Sequence, residues 1–465
     1  MSLPQGISIE HLPAVRSDTR SGNRQRRLNG LLSVILVAIV AVAPIPLASN
    51  RPFFWAVWAA IIGALAVLYA AVLLLRGERF RIPLGRLWPP ALLLGTLLVL
   101  LGVQMAPIAT AFVGVTGDVV TSATLSLAPG ATWLTLLQFA TYGLFFFLML
   151  QVAANRSRAR RIGVGLFIVV VIHALYGLFA LVLLDDLLLF FPKWAYEGFA
   201  TGSFVNRNSF ATFLAFGLVL GVLLAARELK GNASRSTAAM MLAGTALILA
   251  TLVATGSRMG LLAGLVGVGL AVIMAGAKGE RAGRTRGLLL AAVPVTAAIV
   301  VLVLYGAGTF DRLGSLENDV NVRGDLYRQV IGMIAARPWL GYGGGAFEIA
   351  YPLFHQLPVS PDLVWDKAHS TYLGLWVELG LIAGSIPLLL VALVGADALR
   401  LYLARRSADW TAPAAAVCVT VVAALHSTVD FSLEMQANAF LFLALLALGV
   451  ARGETRRDGG EAEVA

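Results

Sequence analysis

Apolar runs of about 17 to 25 residues recur from Leu31 to Ala451, separated mostly by short polar turns. Each is long enough to cross the roughly 30 Å hydrocarbon core of a bilayer as a helix, the form that satisfies every backbone group without water. Twelve spans can be drawn: Leu31 to Leu47, Phe53 to Leu75, Leu87 to Ala106, Trp133 to Ala153, Ile162 to Leu184, Phe210 to Ala226, Thr237 to Thr255, Met259 to Ala275, Gly287 to Gly306, Thr371 to Val394, Thr411 to Leu425 and Asn438 to Ala451. The pattern predicts an all-α polytopic membrane protein with one large outer loop that contains short amphipathic helices. It divides the chain into a basic tail (1–30), spans one to nine (31–306), the large loop (307–370), spans ten to twelve (371–451) and a second tail (452–465).

Composition agrees with this picture. Hydrophobic residues make up 59% of the chain and charged residues 13%, with a mean hydropathy of +0.84; a water-soluble domain would have to expose much of that apolar surface. Charge then orients the spans. Arg16, Arg20, Arg24, Arg26 and Arg27 precede the first span, and the turns after spans two, four, six, eight and ten are rich in Arg and Lys, as is the segment after the last. Short basic loops stay cytoplasmic, so both termini are expected inside an inner (cytoplasmic) membrane and the large loop is expected in the periplasm. The formal net charge of +10 therefore reports topology and gives no argument for nucleic acid as a partner. The first run, with Ala48 and Ser49 after it, has some features of a cleaved leader, but its length and the span that follows at once favour a retained helix. The single cysteine, Cys418, lies within a span and excludes an intramolecular disulfide.

Three outer segments are longer than the rest: Pro107 to Thr132, Asp185 to Ser209 and Ala307 to Ser370. Long connections are where function concentrates. In the last, Leu326, Val330, Met333, Ile334 and Arg337 fall at helical intervals, predicting an amphipathic helix that starts at Arg323 and ends at Pro338. The following Gly341-Tyr342-Gly343-Gly344-Gly345 reads as a flexible turn that brings backbone close to something else. It lacks the Lys and Ser/Thr of a phosphate-binding P-loop.

Six outward basic residues, Arg51, Lys193, Arg312, Arg328, Arg337 and Lys367, read as ordinary interfacial charges. Three arginines do not. Arg207 sits in Gly202-Ser-Phe-Val-Asn206-Arg207-Asn208-Ser-Phe210, Arg258 interrupts the apolar stretch from Thr237 to Ala275, and Arg323 opens the expected loop helix. An arginine at the hydrocarbon rim needs a partner, either lipid phosphate or an outer carboxylate such as Asp430 or Glu434. Three together point to a shared anion, because guanidinium forks match phosphate oxygens bidentately. Among the histidines, His173 reads as a packing residue, His426 as an organiser working through Asp430, and His369, directly after the long loop, as a general base.

The string from Arg323 to Phe347, the Ala368-His369-Ser-Thr-Tyr-Leu373 and Glu378-Leu-Gly-Leu381 motifs, Thr255-Gly-Ser-Arg258, the Asn-Arg-Asn segment and His426-Ser-Thr-Val-Asp430-Phe431 together resemble the O-antigen ligase and polymerase superfamily. The resemblance runs from Gly202 to Ala439 and implies a GT-C-like glycosyltransferase. It would draw a glycan from undecaprenyl diphosphate and pass it to lipid A core or another glycan acceptor at the periplasmic face, among membrane lipids. It implies Arg258 and Arg323 as diphosphate ligands and His369 as the base, with Asn206, Arg207, Asn208, Tyr342, His426 and Asp430 as candidate substrate contacts. Many relatives carry His where this chain has Ser209. Attack on the anomeric carbon from the face opposite the leaving diphosphate predicts inversion, and neither an outer Asp-x-Asp cluster nor a Cys/His metal site is evident, consistent with metal-independent transfer without a cofactor. Polymerase and protein oligosaccharyltransferase activities stay open within the family. Outside it, a secondary transporter is the rival, with Glu378 and Asp397 as its ionisable residues; no internal repeat supports it.

Overall fold

The computed structural model describes residues 17–230, 235–278, 313–404 and 410–461. Eight helices come first: α1 (Ser17–Val42), α2 (Pro52–Leu75), α3 (Trp88–Gln104), α4 (Pro129–Ala153), α5 (Arg156–Leu183), α6 (Arg207–Lys230), α7 (Arg235–Ala254) and α8 (Arg258–Ala277). The loop helix α9 (Leu313–Ala336) follows, then α10 (Thr371–Ala404), α11 (Thr411–His426) and α12 (Gln436–Glu461). Among the described residues, α1 to α8 and α10 are long and apolar enough to cross a membrane, while α11 and the apolar part of α12 are shorter. The chain is a polytopic helical membrane protein. The span expected at Gly287 to Gly306 lies outside the described residues.

Helix accounts for 73% of the structure, consistent with the all-α polytopic class expected, and the segment after α3 adds one short hairpin to it. There β1 (Thr110–Val113) pairs antiparallel with β2 (Val119–Ser122), Thr110 opposite Ser122. The local sequence explains it: β-branched residues flank a tight turn in which Gly117 takes φ +88°, a backbone region open chiefly to glycine.

The bundle closes around α6, whose most apolar window is 89% buried. Phe210, Phe213 and Phe216 are fully enclosed along it, and Phe216 stacks on Phe442 of α12 at 5.5 Å between ring centroids. A helix apolar on all sides belongs inside. Its neighbours approach closely because α6 carries small residues; a Cβ added at Gly221 would lie 2.5 Å from the Phe167 ring of α5, the kind of small-residue contact that membrane helices favour.

The outer loop forms a second core. Leu326, Val330 and Met333 of α9 are fully buried with Tyr342, Phe347 and Tyr351, so the amphipathic face anticipated there does pack inward. Yet α9 begins at Leu313, upstream of the expected start. The Gly341–Gly345 turn is also not loose, because it is laid into a break in α10. Gly380, at φ 77° and ψ 169°, interrupts that helix, and the exposed backbone is taken up in turn. Tyr342 N–H donates to Val377 O at 2.9 Å, Gly343 N–H to Glu378 O at 2.9 Å and Leu381 N–H to Pro338 O at 2.7 Å. Gln104 at the end of α3 completes the clamp, donating to Leu340 O at 2.6 Å and accepting from Gly344 N–H at 3.2 Å. The glycines are required by proximity, since a Cβ on Gly341 would lie 2.5 Å from the carbonyls of Val377 and Glu378.

Candidate active site

The start of α6 is fixed by its own sequence. Asn206 Oδ1 accepts from Asn208 N–H at 2.7 Å and Ser209 N–H at 3.4 Å, capping the helix, which gives Asn206 a structural task. Arg207 follows as the first helical residue and lays its guanidinium 4.2 Å from the Phe199 ring centroid and 5.4 Å from that of Tyr196. The second motif meets it here. A Cβ on Gly256 would come within 3.3 Å of Arg207 Nη1, and Ala200 N–H donates to Ala254 O at 2.9 Å. Ser257 caps α8, accepting from Gly260 N–H at 3.3 Å, and leaves Arg258 exposed at the helix start.

His369 is half-buried, with its backbone in the left-handed region at φ 51°. A non-glycine residue pays strain there unless its surroundings hold it, and several contacts do. Tyr327 OH of α9 donates to His369 O at 2.8 Å. Thr371 Oγ1 donates to Asp430 O at 3.1 Å and Thr371 N–H to Ser427 O at 3.0 Å. The imidazole stands edge-on between Phe431 at 5.3 Å and Trp365 at 5.8 Å. Two residues upstream, Lys367 Nζ binds Glu434 Oε2 at 2.7 Å. Burial works against the Lys367 charge, but Glu434 and Glu378 more than offset it, so the amine stays protonated above the ordinary lysine range.

Burial lowers the His369 pKa, Asp430 raises it, and the Arg323 guanidinium lowers it again. Asp430 and Arg323 also act on the Tyr196 and Tyr327 hydroxyls, both raised first by burial. Asp430 itself is pushed up by burial, opposed by Ser432, His369, Arg323 and Asn208. His369, Arg323, Tyr196, Tyr327 and Asp430 therefore share one electrostatic neighbourhood at the same end of the bundle as the Arg207 start of α6.

Several expectations change. Arg323 lies inside α9, one turn before Tyr327 on the same face, so its peptide N–H groups are engaged in the helix and only its guanidinium is offered to an anion. Asp430 and His426 are each 2% exposed and back the site without opening on it. His426 Nδ1 is 3.0 Å from Thr212 Oγ1 but 3.8 Å from Asp430 Oδ2, so its direct hydrogen bond is to α6. Tyr342 is 1% exposed between Phe112 and Phe354 and presents no face to a ligand. Glu434 pairs with Lys367 and not with an arginine, and Arg337 lies over Phe112 while donating to Gly341 O at 2.9 Å.

Tyr196 and Tyr327 were not foreseen. Tyr327 had a legible signal, its position four residues after Arg323; Tyr196 had none beyond lying in a long outer segment. His173 is, as anticipated, a packing residue, with Nε2 3.0 Å from Ala41 O and its ring against Phe213.

Arginine, histidine and tyrosine thus gather with the loop helix at one end of a membrane bundle, a set of groups able to bind an anion and to accept a proton. Residues 243–388 match the family model described as O-antigen ligase, a match that supports the O-antigen ligase and polymerase superfamily. The match takes in Arg258, Arg323, His369 and Glu378 and leaves Arg207 and the His426 segment outside. No curated protein matches the chain. The family is one of glycosyltransferase-like enzymes with lipid-linked glycan substrates, which makes glycosyl transfer the supported class of activity.

Proposed function

We propose that this protein transfers a glycan from undecaprenyl diphosphate to an acceptor hydroxyl at the periplasmic face of the inner membrane, with inversion and without a metal, and that lipid A core is the acceptor. The observation that carries it is the placement of His369, held in a left-handed turn between two aromatic rings within the field of Arg323 and Asp430. In this reading Arg258 and Arg323 take the donor diphosphate, with Arg207 near them. His369 accepts the proton of the acceptor hydroxyl while that oxygen attacks the anomeric carbon. The bond from that carbon to the diphosphate oxygen breaks on the opposite face, its electron pair leaves with the lipid diphosphate, and guanidinium charge stabilises the departure.

A depressed pKa supports the assignment, because it keeps the imidazole neutral and able to accept a proton at neutral pH. The test is a gene deletion complemented with wild type or His369→Ala and read on gels of surface glycans. Loss of long chains from lipid A core with lipid-linked polymer accumulating supports the ligase. Accumulation of single repeat units replaces it with a polymerase, which the Asn-Arg-Asn and His-Ser-Thr-Val-Asp-Phe signatures also fit. An unchanged profile rejects both.

A further inference from the structure

The outer loop leaves a cavity of about 230 Å³ where α9 meets the tip of the β1–β2 hairpin and the chain from Phe354 to Pro358. Asp325, Arg328, Gln329 and Gly332 line it from α9, at intervals that share one helix face. Arg323 and Tyr327 lie on the opposite face, so about 10 Å, the width of a helix, separates the cavity from the His369 site.

The walls are fixed by the protein itself. Val115 N–H at the hairpin tip donates to Leu353 O at 3.0 Å, and a Cβ on Gly114 would lie 2.6 Å from the same carbonyl oxygen. Gln329 pins the other wall. Its Oε1 accepts from Tyr351 OH at 2.7 Å and from Gln356 N–H at 3.2 Å, and its Nε2 donates to Gln356 O at 2.7 Å. Between them Gly332 keeps the space open, since a Cβ there would meet nothing within 4 Å among the described residues.

The lining selects the occupant. Val115 and Leu357 are 49% and 78% exposed and give the cavity an accessible apolar side. Beside them stand a carboxylate, a guanidinium and an amide. Arg328 Nη1 donates to Asp325 Oδ1 at 2.6 Å, which leaves the guanidinium further N–H groups, and the exposed Gln356 side chain can both donate and accept. A phosphate needs donors alone and would face the Asp325 carboxylate. A sugar ring instead presents hydroxyls that donate and accept along its edge and apolar C–H groups on its face.

We propose that this cavity binds one neutral pyranose ring of the glycan being transferred, away from the reacting carbon, with Asp325, Arg328 and Gln356 on its hydroxyls. The ring's place in that glycan rests on the glycosyl-transfer reading above; the binding of a sugar does not. Contacts to parts of a substrate that do not react add affinity and hold the chain in place.

The full chain in a sugar-free detergent would be titrated with the methyl glycosides of glucose, galactose, mannose and N-acetylglucosamine and followed by saturation-transfer NMR. Wild type is expected to bind at least one, and His369→Ala to bind it equally. Gly332→Trp, which fills the cavity and keeps every polar group, should abolish the signal. Gly324→Trp, elsewhere on α9 where a Cβ also meets nothing within 4 Å among the described residues, should keep it. Arg328→Gln should weaken binding about fivefold. The proposal is overturned by a wild type that binds none of the glycosides, by binding that survives Gly332→Trp, or by binding lost in His369→Ala, which would put the sugar at the reacting site. In vesicles supplied with lipid-linked glycan, Gly332→Trp should raise KM about tenfold and leave kcat unchanged. An unchanged KM overturns the site's part in transfer, whereas a wild type that transfers nothing strikes the glycosyl-transfer reading and leaves the sugar binding standing.

Discussion

The two ends of α6 are built on different principles. Its start is dense in buried polar groups, several of them tied to other protein groups: Asn206 spends its side-chain oxygen on capping, Asn438 Nδ2 donates to Ser209 O and Ser432 O at 2.9 Å each, and Thr212 meets His426. Its end carries long basic side chains around an apolar cavity. One end holds a fixed constellation with a strained histidine at its edge; the other offers charge and space. Precision of this kind is what catalysis needs. The difference predicts that substitutions at the two ends fail in different ways.

The largest effect should come from the strained residue. His369→Ala is expected to lower transfer about 10²- to 10⁴-fold, the range for removing a general base, with protein level and helix content unchanged. Product formation in vesicles supplied with lipid-linked glycan measures it, and normal product would end the base assignment. Arg258→Lys comes next, at about 10- to 100-fold, because a point charge replaces a bidentate fork. Full activity in that variant would make Arg258 a topological anchor, and the comparison would then rest on Arg207 and Arg323 alone.

These predictions draw on residues that the sequence had already singled out, and the reason is physical. Membrane spans announce themselves by length and hydropathy, and an arginine or histidine at a span end stands out against an apolar background. The buried face of α9 was legible for the same reason, through Leu326, Val330 and Met333. What was not legible depends on contacts between distant segments. Nothing local shows that Gly380 breaks α10 to receive the glycine turn, that Gln104 clamps that turn from α3, or that Lys367 pairs with Glu434. The turn looked flexible because flexibility and close approach need the same residue. Tyr342 looked available because a tyrosine in a glycine-rich loop gives no sign of being packed between two rings.

Smaller effects should come from groups that act through His369. Tyr327→Phe removes the hydroxyl that donates to the His369 carbonyl, a bond worth about 1 kcal/mol, so turnover should drop roughly fivefold. If the tyrosine is a positioning residue, kcat falls more than KM rises, and an equal change in both would assign it to substrate binding. The pH profile sharpens the same point. The base works only when neutral, and burial has moved its pKa below the ordinary histidine value of 6.5, so the neutral form persists into mild acid. The acid limb of kcat/KM should therefore lie below pH 6.5. Asp430→Asn, by removing the charge that favours the imidazolium, should move it lower still, and a shift upward would contradict the placement of Asp430 beside the base.

The smallest effect belongs to a charge at the other end. Asp397 is the ionisable residue that a transporter reading would rely on, yet it lies late in α10 with its carboxylate 2.8 Å from Arg400 Nη2, whose side chain is 61% exposed. An exposed pair at this spacing contributes about 0.3–0.5 kcal/mol. Asp397→Asn should therefore leave glycan transfer within about twofold of wild type. A proton- or cation-coupled carrier depends instead on ionisable groups along its pathway, and losing one there stops coupling. Abolished function in Asp397→Asn, alongside an active His369→Ala, would invert the comparison and place the working end of the molecule where the structure shows an exposed ion pair.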